Sequence, residues 1–186
     1  MAVTDEKIRQ IGEVLGARTT QEELFRLVVS DKDPDRFDVV LAYFQRHVPW
    51  QEQIVLPLSE ALFIVAKDGV GVVRCRCGHE FGDYRVNWKL FARVHVRRTA
   101  ADFEEIYPPY MHAREGWQEL REFFCPGCFT LLEVEAAAPG YPVLFDALPD
   151  VQTFYREWLG RECPLAPHEF RDLTLEAVKE LPVDSP

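Results

Sequence analysis

Four of the five cysteines in this 186-residue chain fall in two close pairs, and that pairing constrains the fold more than any other feature. Cys75 and Cys77 lie in VVRCRCGHEFGDY, and Cys125 and Cys128 lie in FFCPGCFT, 48 residues beyond Cys77. The i, i+3 pair around Pro-Gly has the spacing of a zinc knuckle, where a tight turn brings two thiolates to one point and aims backbone N–H groups at the sulfurs. Cys75 and Cys77 would stand on one side of an extended segment, because strand side chains alternate with period two. Two such pairs closing a tetrahedron make a zinc-ribbon arrangement, although C-x-C replaces the usual C-x-x-C of that pattern. Four thiolates around Zn²⁺ leave a charge of about −2, which Arg74 and Arg76 are placed in sequence to offset in part.

Two other readings compete. CPGC also resembles a redox dithiol, but that chemistry needs a helix N-terminus to lower the thiol pKa, and FTLLEVE reads as a strand. The alternative of four unconnected buried thiols fits poorly with their pairing. His79, two residues past Cys77, is a candidate replacement ligand; with four sulfurs available it is expected to sit beside the site or face solvent. A closed four-sulfur shell has no vacancy for substrate, so such a metal would hold loops together. Cys163, beside Pro164, has no partner in sequence.

The rest of the chain reads as α+β: N-terminal helices, a central antiparallel sheet carrying the zinc-ribbon-like four-cysteine site, and a C-terminal helix. Residues 1–50 form the helical segment, 51–160 the zinc-binding domain and 161–186 an extended tail. Ile8, Ile11, Val14 and Leu15 recur at helical spacing before Gly16. Thr20 and Glu23 make a capping box, and Asp33-Pro34 offers an N-cap and a first-turn proline to a helix ending at Pro49, with Phe37, Val40, Leu41 and Phe44 on one face. ALFIVAKDGVGVVRCRC then reads as two strands joined at Asp68-Gly69. NWKLFARVHVR alternates, which predicts a third strand with Trp88, Leu90, Ala92, Val94 and Val96 facing inward and Lys89, Phe91, Arg93, His95 and Arg97 outward. Thr99 and Asp102 open a short helix stopped by Pro108-Pro109. WQELREFF and FTLLEVEA are strands turned at CPGC. Asp150 opens the last clear helix, with an aromatic-rich stripe of Val151, Phe154, Tyr155, Trp158 and Leu159. The tail carries Pro164, Pro167, Pro182 and Pro186, with a helical turn possible in LTLEAVKEL.

Composition excludes several classes. No run approaches the ~18 apolar residues of a membrane span, and MAVTDEKIRQIGEV is acidic and amphipathic rather than signal-like. The expected setting is therefore cytoplasmic, where thiols stay reduced. A net charge of −10 opposes general nucleic-acid binding. Yet residues 84–98 hold Arg85, Lys89, Arg93, Arg97 and Arg98 without one carboxylate. Such a stripe would meet an acidic partner or form a solvated face. No phosphate-cradling loop or nucleophile elbow occurs. His95 falls on a polar strand face, and the carboxylate pairs Glu104 with Glu105 and Asp146 with Asp150 are explained by helix starts and solvent. These residues describe a metal-stapled module and supply no catalytic centre.

VRCRCGHEFGDYRVNWKLFARVHVR, then EEIYP, REFFCPGCFTLLEVEA and PDVQTFYREWLG together resemble the gamma, or small, subunit of acetone carboxylases, over roughly Lys32 to Gly160. The resemblance implies a bacterial complex of gamma with larger alpha and beta subunits, two copies of each, that carboxylates a ketone with bicarbonate at the expense of ATP. It also implies that the nucleotide site and a manganese centre belong to the large subunits and zinc to the small one, here at Cys75, Cys77, Cys125 and Cys128. Acetophenone-type carboxylases could use a similar small subunit. Two different functions stand beside this one: a zinc-ribbon adaptor using the basic stripe, and a thiol oxidoreductase using Cys125 and Cys128.

Overall fold

A computed structural model describes residues 3–180. The α+β class holds, with the strands divided between two antiparallel sheets. Helices α1 (Asp5–Leu15), α2 (Gln21–Val29) and α3 (Arg36–His47) come first. The sheet β1 (Ile54–Pro57), β2 (Leu62–Lys67), β3 (Val70–Cys75) and β4 (Glu80–Asp83) follows, its strands side by side in chain order. A second sheet contains β5 (Arg93–Arg97), β6 (Glu119–Phe124) and β7 (Leu131–Ala137), with the short helix α4 (Ala100–Glu104) between its first two strands. Helix α5 (Val151–Thr153) runs on into a wide π turn over Phe154–Trp158, and α6 (Thr174–Glu180) is the last element described.

The first sheet is buried on both faces, which explains the unbroken apolar run LFIVA in β2. Phe63, Val65 and Ile54 pack with Phe44 of α3 and with Trp50. Leu62, Ile64, Val73 and Val55 face the main core, where they meet Trp88, Phe123 of the second sheet, and Val151 and Tyr155 of the α5 segment. Tyr155 donates its hydroxyl proton to the Val55 carbonyl at 2.8 Å, and Phe37 of α3 meets Phe154 edge-on at 5.1 Å. The aromatic stripe is thus anchored, except for Trp158, which the π turn leaves 79% exposed. Asp68 and Gly69, both at positive φ, form the two-residue turn between β2 and β3 that Asp-Gly predicts.

Two expectations are corrected here. Helix α3 starts at Arg36, two residues later than Asp33-Pro34 implies, and Asp33 instead pairs with Lys7 at 2.9 Å. NWKLFARVHVR is not one strand: Trp88–Phe91 form a 3₁₀ turn, capped by the Asn87 side chain accepting from the Lys89 N–H, and only Arg93–Arg97 extend. The turn breaks the alternation, so Lys89 points inward and is 2% exposed, while Val94 is exposed.

Residues 161–173 are extended and pinned to the first sheet. Leu165 is buried in the main core, the Ala166 N–H donates to the Gly69 carbonyl, and the Leu173 N–H donates to the Arg85 carbonyl. The Tyr84 hydroxyl and His168 Nε2 lie 2.6 Å apart. Gly71 permits this approach, since a Cβ there would stand 2.5 Å from the Tyr84 ring and 2.9 Å from Leu165. Pro182 and Pro186 lie outside the described residues.

Candidate metal centre

The two cysteine pairs sit at the tips of hairpins from different sheets. Cys75 closes β3, and the chain turns through Arg76, Cys77 and Gly78 before β4. Its N–H donates to the His79 carbonyl and the Gly78 N–H donates back to the Cys75 carbonyl, both at 2.8 Å. Gly78 takes φ 102°, a conformation glycine adopts without strain. Cys77 therefore comes round on a turn and not by strand alternation. The second tip follows the same pattern: the Cys125 N–H donates to the Thr130 carbonyl, and the Phe129 N–H donates to the Cys125 carbonyl at 2.9 Å. Phe129 occupies the left-handed region at φ 56°, where a bulky residue is uncommon. The Gly127 N–H points at Cys125 Sγ, 3.4 Å away.

These turns bring all four sulfurs within 4.8 Å of one another, with Cys75 and Cys125 buried and Cys77 and Cys128 exposed. Across the hairpins, Cys75 Sγ lies 3.8 Å from Cys128 Sγ, and Cys77 Sγ lies 3.7 Å from Cys125 Sγ. A tetrahedron with metal–sulfur bonds of about 2.3 Å has sulfur–sulfur edges of about 3.8 Å. The donor set and its spacing therefore fit a tetrahedral thiophilic ion, and the cluster could bind a metal. Gly127 is needed where the tips meet, because a Cβ there would lie 3.2 Å from His79 Cβ and 3.5 Å from Cys77 Sγ.

Burial pushes the Cys75 thiol well up and the Cys125 thiol up as well. At Cys128 burial acts in the same direction, but hydrogen bonds from the Thr130 side chain and backbone outweigh it and bring the thiol down to about 6. Thr130, which the sequence reading did not single out, lies 3.2 Å from Cys128 Sγ and within 3.4 Å of the Arg76 guanidinium. A hydroxyl two residues past the last knuckle cysteine is the signal that could have found it. His79 stays outside the sulfur cluster and packs edge-on against Phe81 at 5.0 Å.

Other candidates fall elsewhere. Arg74 does not offset the cluster's charge: its buried guanidinium pairs with Glu52 at 2.5 Å and with Glu80, and covers the Trp50 ring. The basic stripe is largely spent within the chain, with Arg85 on Asp83, Arg97 on Glu105 and Glu122, and Arg98 on Glu119. Lys89 pairs inside with Glu133 at 2.6 Å and with Asp146. Among the described residues Arg93 has no carboxylate partner and lies over the Phe129 ring. This removes the continuous cationic face on which an adaptor reading rested. Asp150 caps α5 through the Thr153 N–H, and His95 is exposed. CPGC is followed by strand β7, so no helix N-terminus activates Cys125. Cys163 is half-buried, away from the cluster. No helix among the described residues is long and apolar enough to cross a membrane.

The chain is similar to known proteins over most of its length. Residues 48–159 match the family described as acetone carboxylase gamma subunit. The chain is 45% identical over 166 residues to the acetone carboxylase gamma subunit of Xanthobacter autotrophicus, covering 88% of this chain and 97% of that protein. It is 30% identical over 83 residues to the acetophenone carboxylase beta subunit of Aromatoleum aromaticum, covering 41% of this chain and 61% of that one. The chain belongs to the acetone carboxylase gamma subunit family.

Proposed function

We propose that this chain is the small, zinc-holding and non-catalytic subunit of a cytoplasmic, ATP-dependent ketone carboxylase that converts an acetone-type ketone and bicarbonate to a β-keto acid. The observation that carries the reading is the convergence of Cys75, Cys77, Cys125 and Cys128 at the meeting point of two hairpins, in a chain of this family. Four thiolates complete a tetrahedral zinc shell, so the ion would have no position left for water or substrate. Its role is to join the two sheets. The metal-holding unit is residues 51–160. ATP and manganese belong to the larger alpha and beta subunits, which the complex contains in two copies each alongside two of this chain.

Reconstitution tests the proposal. The host's alpha and beta subunits, assayed for ATP-dependent incorporation of labelled bicarbonate into a β-keto acid, should form an active complex only with this chain present. Cys125→Ser should lower zinc content and recovery of the complex together. Full activity and assembly of the large subunits alone would refute a subunit role.

A further inference from the structure

The four sulfurs differ in their access to solvent, which closing a metal shell does not require. Cys77 and Cys128 are exposed, while Cys75 and Cys125 are buried. Each exposed sulfur has a buried neighbour on the other hairpin. Cys128 Sγ lies 3.8 Å from Cys75 Sγ, and Cys77 Sγ lies 3.7 Å from Cys125 Sγ. An accessible sulfur beside a shielded one is the arrangement of a redox-sensitive cysteine and the cysteine that resolves it. The pairing also has a direction: an oxidant in solution meets the outer sulfur first, and the bond that follows runs between the sheets and not within either turn. Of the two outer sulfurs, Cys128 is the better placed. The Thr130 hydroxyl lies 3.2 Å from its Sγ, near enough to hydrogen-bond an oxygen added there. Cys77 Sγ is instead backed by Gly127, where a Cβ would stand 3.5 Å from it. Cys163 is half-buried and outside the cluster, so it cannot resolve either one.

The chemistry balances with hydrogen peroxide as the oxidant. The Cys128 thiolate attacks one peroxide oxygen; the S–O bond forms, the O–O bond breaks, and hydroxide leaves behind a sulfenic acid. The Cys75 thiolate then attacks that sulfur, the S–O bond breaks, and a second hydroxide leaves as the disulfide forms. The two sulfurs together give up two electrons, and the peroxide takes them up with two protons to become two waters. The sulfurs must close from 3.8 Å to a bonding distance of about 2.05 Å, a movement shared between a side chain in a turn and one at a strand end. Two of the four thiolates are then consumed, and a disulfide sulfur is no longer a zinc ligand. The bridge takes over the tie between two sheets that share no backbone hydrogen bonds.

We infer that Cys128 is a peroxide-sensitive site resolved by Cys75, so that oxidation releases the metal while a disulfide keeps the two hairpins joined. This rests on the zinc site proposed above. The test uses the parent chain purified with its zinc and treated with hydrogen peroxide beside a colorimetric zinc indicator. Samples taken through the reaction are alkylated and mapped by mass spectrometry without reduction. Zinc release and a Cys75–Cys128 bridge within one chain should rise at the same rate, with the zinc lost in proportion to the bridge formed. Cys163 should stay open to alkylation, and dithiothreitol with added zinc should restore the starting zinc content. A first bridge at Cys75–Cys77, Cys125–Cys128 or Cys77–Cys125, or between two chains, would overturn the inference and leave the zinc site standing. So would zinc retained through the oxidation, or released with sulfinic acid and no bridge. A purified chain that holds no zinc and takes none up would overturn both readings.

Discussion

Lys89 shows how much one side chain can differ from its pattern. Burial pulls its ammonium down, but the hydrogen bonds it donates to Asp146 and Glu133 more than reverse that, so it keeps its proton. It also lies over the Phe123 ring, 5.3 Å from the centroid. Burial pushes Glu133 up, and its neighbour Asp146 adds to the effect, while Lys89 lowers Asp146 despite burial. Replacing one partner of such a buried pair costs about 3–5 kcal/mol. The Glu133 and Asp146 side chains retain 34% and 51% exposure, which places Lys89→Met at the low end of that range. The variant should melt about 6–12 °C below the parent at neutral pH, read by calorimetry. Removing Lys89 takes away the cation that lowers both Glu133 and Asp146, so these carboxyls bind protons more tightly in the folded variant than in the folded parent, and the deficit should shrink as pH falls towards ~5. A deficit that grows on acidification would contradict this assignment. A second residue-scale expectation concerns Gly127, where valine would press on His79 and Cys77. Gly127→Val should weaken zinc retention against a chelator more than it lowers secondary structure by circular dichroism.

At the scale of elements, the tail is the segment whose packing was least legible. Its prolines and polar residues predict an extended chain, and residues 161–173 are extended. What composition does not reveal is that Leu165 is buried against Tyr84 and Gly71, because that contact joins positions ~80–100 residues apart. Leu165→Ala should therefore cost about 2–4 kcal/mol, as for a buried leucine, and should expose Arg161–Arg171 to trypsin at concentrations the parent resists. Equal protease resistance would mean the tail is held by its hydrogen bonds alone. The hairpins were easier to read: Asp-Gly and Cys-Pro-Gly-Cys each dictate a tight turn locally, and the structure places both where expected. The region 84–98 was misread because its period-two pattern includes Trp88–Phe91, which tertiary packing folds into a 3₁₀ turn. The capping box at Thr20 forms, and Thr99 and Asp102, read only as a helix start, make a second one; each depends only on residues three apart. In the site, the pairing of the cysteines was legible from spacing; the order in which sulfurs face each other across the hairpins was not.

At the scale of the whole molecule, the cysteine cluster lies where two sheets from distant parts of the chain touch, next to a shared core containing Cys75, Cys125 and Phe123. A metal there joins strands that backbone hydrogen bonds do not connect. Zinc binding to thiols releases protons, so loading should weaken as pH falls. Chelation should leave the helices formed and lower the melting temperature, with faster hydrogen exchange in both hairpin tips together. The central claim is a closed, four-sulfur structural zinc, and zinc-edge X-ray absorption of the purified protein tests it most directly. The account predicts about four sulfur neighbours at ~2.3 Å, no oxygen or nitrogen in the first shell, and a spectrum unchanged by ketone and bicarbonate. An oxygen or nitrogen neighbour, or a shell that responds to either substrate, would contradict it.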